Sequence, residues 1–310
     1  MGAALAVGAL THPISIWWRA ARPFSLSASV TPVLVGSATA FYDGAFHPRL
    51  FAATLIASMA IHAATNLIND YYDYMRGVDA TQPIGPGGAI QQGTLSARAV
   101  LSGALVLFAL SGVIGIWLIA LRGWPVLLIG VLSVLAGYAY TGGPVPLGYV
   151  GLGDLTVFVF MGLAIVCGAY YVQTGTLSAS VVWAAIPMAA LVDAILVANN
   201  LRDLENDRAK GKRTLAALIG PRATRLHFLL LCATAYASVI LGVAVGALPV
   251  LTLLALMTVP AALNVWRAVR VERDPRHLTI GAIRGTARLH MRVGLLLSLG
   301  FVLTALIRLP

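Results

Sequence analysis

The chain has 310 residues but only eleven acids, and six of those fall in two short stretches. The first, NLINDYYDYMRGVD, covers 66–79; the second, NNLRDLENDRAKGKRTL, covers 199–215. They align on Asn-x-x-x-Asp, Asn66 with Asp70 and Asn199 with Asp203, and each runs on to another acid, Asp73 or Asp207. Residues three and four apart share a helix face, so the spacing predicts one polar stripe at each of two helix ends. Two like charges ~4 Å apart repel by about 4 kcal/mol at an effective dielectric of about 20, so facing stripes call for cations. Hard oxygen donors suit Mg²⁺, which binds through one or two carboxylates and completes its shell with water and substrate phosphates. The pattern therefore predicts a phosphate-bearing substrate bridged by metal to both helix ends. One Asp-x-x-Asp alone would read better as a solvated helix end paired with nearby Arg and Lys. Two matched clusters favour the metal reading, and their offset hints at a duplication that little else in the sequence supports.

The elements that must carry these stripes are membrane helices. Residues are 59% hydrophobic and 10% charged, and the mean hydropathy is +0.87. A water-soluble domain is nearer one quarter charged, so lipid is the expected solvent. Nine stretches reach the roughly 20 apolar residues of a transmembrane helix: 23–42, 50–72, 99–121, 124–141, 154–173, 181–201, 224–245, 248–267 and 289–307. With the N-terminus cytoplasmic, 18 of the 21 Lys and Arg fall on the cytoplasmic side and only Arg49, Arg122 and Arg308 on the other, as the positive-inside rule demands. Both acidic stretches are then cytoplasmic. The net charge of +10 suits anionic lipid headgroups or an anionic substrate, and no soluble module is left to bind nucleic acid. No linker or low-complexity tract divides the chain, so 1–310 reads as a single membrane-embedded domain. The apolar start lacks a basic flank, so no cleavable signal peptide is expected. Cys167 and Cys232 lie in apolar runs and read as packing residues.

NLINDYYDYMRGVD and NNLRDLENDRAKGKRTLAALIG resemble the two aspartate-rich motifs of the UbiA superfamily of intramembrane prenyltransferases. RPFSLSASVTPVLVG (22–36), YTGGPVPLGYVGLGDLTVFVF (140–160) and YYVQTG (170–175) are similar to its menaquinone branch, the 1,4-dihydroxy-2-naphthoate prenyltransferases. The resemblance covers nearly the whole chain from Arg22 onward. It implies an all-α polytopic protein, nine transmembrane helices around a central cavity. It also implies two Mg²⁺ ions holding a prenyl diphosphate, and an aromatic acceptor that is alkylated with loss of its carboxylate. By motif, the metal ligands would be Asn66, Asp70, Asp73, Asn199, Asp203 and Asp207.

Further residues suit that chemistry. A diphosphate leaves well only when its charge is neutralised; Arg22, Arg76, Arg202, Arg208, Lys212 and Arg213 are candidates, with lipid contact the plain alternative for each. An allylic cation needs π faces and dryness, which Tyr71, Tyr72, Tyr74, Tyr138, Tyr140, Tyr170 or Tyr171 can offer. Tyr140 is the best placed, opening the YTGG loop on the side of both motifs, although tyrosines also form interfacial belts. Asp154 can orient or deprotonate a phenolic acceptor, or simply favour a helix N-terminus. Asp193 lies inside the sixth span, as a functional acid or a buried neutral one. Gly85–Gly88 reads as a flexible loop and His62 as a packing histidine. A secondary transporter is the rival class, but transporters place polar groups near the bilayer midplane, whereas these acids crowd one membrane face. A CDP-alcohol phosphotransferase run of acids is absent, and Gly153-Asp154 lacks the partner an intramembrane protease would need. Another aromatic or quinone precursor remains the alternative acceptor.

Overall fold

The structure, a computed structural model, describes residues 13–77, 88–272 and 274–308. Asp79 and residues 85–87 of the glycine loop lie outside the described residues. Among the described residues the regular elements are all helical. A short helix α1 (Pro13–Ala20) precedes nine longer ones: α2 (Pro23–Tyr42), α3 (Pro48–Met75), α4 (Ala97–Arg122), α5 (Trp124–Ala139), α6 (Gly153–Thr174), α7 (Ala179–Ala209), α8 (Leu215–Ala244), α9 (Val250–Val271) and α10 (Pro275–Arg308). All nine expected spans are present. Eight are long and apolar enough to cross a membrane; α5, with 16 residues, reaches about 24 Å.

The helix boundaries follow local chemistry. Pro23, Pro48 and Pro125 occupy first-turn positions, where the missing N–H costs nothing. Ser96, Ser178 and Thr214 cap α4, α7 and α8 by accepting from the N–H groups of Ala99, Val181 and Ala217. Gly123, at φ 78°, turns α4 straight into α5.

Small residues set the packing. α7 runs through the core as a fully buried ladder of Ala184, Ala185, Met188, Ala189, Leu191 and Ala194, packed against α2, α6, α8 and α10. A Cβ on Gly162 would sit 2.2 Å from the Ala189 Cα, and one on Gly36 would sit 2.2 Å from the Val166 carbonyl oxygen. Without a hydrophobic drive between helices in lipid, such close backbone approach is what holds them. α3, α4 and α5 form the opposite wall. Between the walls lies a cavity of about 1540 Å³.

Contacts at the two ends show that the spans alternate in direction. At one end Arg22, beginning α2, meets Asp70, ending α3, and Arg202, ending α7, approaches Thr279, beginning α10. At the other, Arg122 donates to the carbonyls of Val172 and Gln173, Gln173 bonds the backbone of His47, and Tyr42 meets Arg308.

Candidate active site

The cavity is polar at one end and apolar through most of its length. On α3 its lining runs from Thr54 through Ser58, His62, Asn66 and Asn69 to Asp73, a rise of about 28 Å along one helix face. That approaches the thickness of a bilayer core. Phe108, Ile119, Val134, Phe160 and Leu196 supply apolar walls. Two π-helical stretches, Val157–Ala164 in α6 and Leu278–Ile283 in α10, both contribute lining residues. Such stretches recur at functional sites.

Both acidic stretches meet at the polar end. Asn66, Asp73, Asn199, Asp203 and Asp207 all line the cavity there, and Arg22, Arg202 and Lys212 line it with them. The stripe on α3 differs from the expected one. It passes through Asn66, Asn69 and Asp73, at i, i+3 and i+7. Asp70 is 2% exposed and sits behind the wall, ion-paired to Arg22. Arg22 therefore stands between Asp70 and the cavity. It is held in the left-handed region at φ 54°, a conformation that costs a non-glycine residue on the order of 1–2 kcal/mol and marks a constrained corner. The amide nitrogen of Asn66 donates to the Ala21 carbonyl and the Ser25 hydroxyl, which leaves its carbonyl oxygen for the cavity.

One tyrosine ties the two motifs together. The Tyr149 hydroxyl donates to Asp73, and Lys212 and Arg76 stand 4.4 Å and 5.2 Å from the centre of its ring. Its carbonyl accepts from the Arg213 N–H, and Lys212 reaches Asp73 at 3.6 Å. Burial first, then the Asp73 charge, pushes the Tyr149 hydroxyl well above the usual tyrosine range, so it stays a donor. On α7, Asp203 is gripped by its neighbour Arg202 through two hydrogen bonds of 2.7 and 2.5 Å.

Tyr140 lines the cavity next to this end. Its ring needs glycines beside it: a Cβ on Gly148 would lie 3.1 Å from the ring, and one on Gly153 would lie 3.3 Å from the hydroxyl oxygen. Burial, followed by the charges of Asp154 and Asp193, pushes its hydroxyl far upward. Asp154 is buried and outside the cavity wall.

Two expected residues point elsewhere. Arg208 turns outward to the Ala217 carbonyl, at 3.0 and 2.9 Å. Arg76 braces the YTGG loop, donating to the carbonyls of Thr141 and Gly143. Among the tyrosines, Tyr72 and Tyr138 bond each other at 2.6 Å. Tyr170 and Tyr171 bond Asp43 and the Arg122 carbonyl at the far end. His62, expected only to pack, lines the cavity, with its Nδ1 2.8 Å from the Ser29 hydroxyl, and the cysteines are unpaired. Sequence reading missed Asn69, Asn206, Arg284 and Arg288, all in the lining. The i, i+3, i+7 spacing flags Asn69 from Asn66 and Asn206 from Asn199. The i, i+4 pair of arginines was counted only as topological charge.

Among the described residues, no three His, Cys, Asp or Glu side chains form a ready-made metal cage. The donors present are carboxylates and amide oxygens on two helices, with lysine and arginine beside them. That is the sparse, all-oxygen set suited to Mg²⁺ that shares its coordination with phosphate and water.

Comparison with known proteins agrees with the architecture. The UbiA prenyltransferase family model matches residues 29–282. The "1,4-dihydroxy-2-naphthoate octaprenyltransferase" of Bacillus subtilis is 33% identical over 289 residues, 93% of each chain. "UbiA prenyltransferase domain-containing protein 1" of Gallus gallus is 33% identical over 302 residues, 94% of this chain and 86% of that one. A UbiA homologue from Archaeoglobus fulgidus, solved bound to GPP and Mg²⁺, has the same fold, with a TM-score of 0.65 at 16% identity over 91% of this chain and 99% of that one. The chain is thus a multi-pass membrane prenyltransferase belonging to the UbiA prenyltransferase family.

Proposed function

We propose that the protein transfers a prenyl group from a prenyl diphosphate to an aromatic acceptor. We take the acceptor to be 1,4-dihydroxy-2-naphthoate, which loses its carboxylate in a step of menaquinone biosynthesis. The observation that carries the reading is the convergence of Asp73, Asp203 and Asp207, from two helices, on the polar end of one deep apolar cavity. A diphosphate needs the charged end and an isoprenoid tail needs the apolar length. The naming of the Bacillus subtilis relative supports the acceptor. Another aromatic or quinone precursor is the alternative, and the relatives named only for the UbiA domain leave room for it.

Mg²⁺ is the proposed metal, supported by the Archaeoglobus fulgidus homologue. Asn66, Asp73, Asn199, Asp203 and Asp207 would hold it, while Asp70 would act from behind the wall through its ion pair with Arg22. When bound, it would neutralise charge developing on the leaving group. Arg22, Arg202 and Lys212 sit in the same wall and stabilise the same charge. The apolar walls exclude water from the allylic cation, and Tyr140 offers it a π face. We read residues 1–310 as one prenyltransferase domain, with its N-terminus and active-site loops cytoplasmic.

Purified protein given Mg²⁺, a prenyl diphosphate and a panel of hydroxylated aromatic acids tests the reading by product analysis. Decarboxylated, prenylated dihydroxynaphthoate, lost on adding chelator, is the expected product. Transfer undiminished by chelator would contradict the metal, and preference for another acid would replace the acceptor.

A further inference from the structure

Beside Tyr140, three titratable side chains from three helices meet outside the metal-binding end. Asp154 opens α6, Asp193 lies midway along α7 and His227 lies on α8. The imidazole sits between the two acids, Nδ1 3.9 Å from Asp154 Oδ1 and Nε2 4.0 Å from Asp193 Oδ2. Asp154 is 6% exposed and Asp193 3%. One oxygen of each, Asp154 Oδ2 and Asp193 Oδ1, is buried without a hydrogen-bond partner. Unsatisfied buried carboxylate oxygens are costly and call for an explanation. Packing alone gives none, since alanine or leucine would fill this part of α7 as they fill its neighbours.

Tyr140 connects the cluster to the cavity. It lines the cavity, its hydroxyl lies against Gly153, and Asp154 is the next residue. After burial, the charges acting most strongly on that hydroxyl are those of Asp154 and then Asp193, with Asp73 and Asp207 weaker. Arg225, two residues before His227, is occupied with the Val269 and Glu272 carbonyls.

We propose that His227, held between Asp154 and Asp193, relays protons through Tyr140: it stores the acceptor's ring hydroxyl proton during carbon–carbon bond formation and returns it as aromaticity is restored. This rests on the hydroxylated aromatic acid proposed above. The ring carbon bearing the carboxylate bonds to the allylic carbon, and the allylic C–O electron pair leaves with the diphosphate. The acceptor's O–H pair becomes a C=O. Its proton passes to the Tyr140 oxygen as the Tyr140 proton passes to Asp154 and on to His227. The C–CO₂ bond then breaks, its electrons restore the ring, and the carbonyl oxygen recovers the proton along the same path. CO₂ and diphosphate leave, with no net proton change. An imidazole suits this because its two nitrogens serve two partners. Catalytic hydrogen bonds commonly tighten from such separations when substrate arrives.

His227→Gln and Asp193→Asn, made in the full chain, test the proposal with Mg²⁺, a prenyl diphosphate and dihydroxynaphthoate. A relay residue is worth about 10²-fold or more in kcat, so His227→Gln should lose that much while the KM for prenyl diphosphate stays put. The pH profile of kcat should lose a limb, and imidazole should restore part of the rate to His227→Ala. Asp193→Asn should lose roughly tenfold and shift the same limb. Wild-type kcat in both variants would overturn the relay. So would a lower kcat with an unmoved pH profile and no imidazole rescue, which would make the cluster structural. A wild-type enzyme that binds prenyl diphosphate yet prenylates no hydroxylated acid would instead remove the acceptor reading, and the relay with it.

Discussion

The two Asn-x-x-x-Asp helix ends share a spacing but not a means of support. On α7 the arrangement is local: Arg202 grips Asp203, the next residue, and the stripe takes shape as the helix forms. On α3 every brace comes from far along the chain. Arg22, 48 residues earlier, holds Asp70, and Tyr149, 76 residues later, holds Asp73 together with Lys212. The second motif is thus set by helix formation, and the first only when the α1–α2 corner and two loops have docked. Half of the proposed site is therefore exposed to substitutions outside its own motif.

That asymmetry can be broken at chosen points. Asp70→Asn should release Arg22 from its buried partner and cost about 10²–10³-fold in kcat/KM, the range for one lost charge stabiliser; steady-state kinetics in lipid nanodiscs would measure it. Asp203→Asn should cost a similar factor on the same basis, and the Asp70 variant should also lower the thermal midpoint, because its 2%-exposed carboxylate anchors the α1–α2 corner through Arg22. Tyr149→Phe removes one donor while Lys212 still pairs with Asp73, so a loss near tenfold is expected, the low end of the roughly 1.5–3 kcal/mol that a hydrogen bond to a charged group is worth. Arg208→Ala should change kcat/KM by less than about twofold, as expected of an exposed pair, since its side chain faces away from the cavity. A large loss there would mean that the α7–α8 turn rearranges around substrate.

Much of this was legible in the sequence, because it follows from short-range rules. Hydropathy and charge alternation gave nine spans, with only α5 shorter than the thickness it must serve. The i, i+4 pattern put two acidic stripes at one end. What escaped depends on rotation and long-range docking. A helix presents a full circle of positions, and only the partner fixes which face turns inward, so Asp70 was expected on a face that Asn69 and Asp73 occupy instead. Tyr149 and His227 carry no sequence signal at all: each matters through residues dozens of positions away. Arg208 and Lys212 share a face only if the helix continues through Gly211; at φ 71° that glycine turns the chain between them.

The account turns on two helices sharing one metal-bridged diphosphate, and equilibrium binding of a prenyl diphosphate tests it most directly. Affinity would be measured with and without Mg²⁺ in the wild type, Asp73→Asn, Asp203→Asn and the double variant. If both motifs hold the same ligand, each single variant should erase the Mg²⁺-dependent part of the affinity, and the double should be little worse than either. Losses that add independently, or wild-type affinity that ignores Mg²⁺, would contradict it.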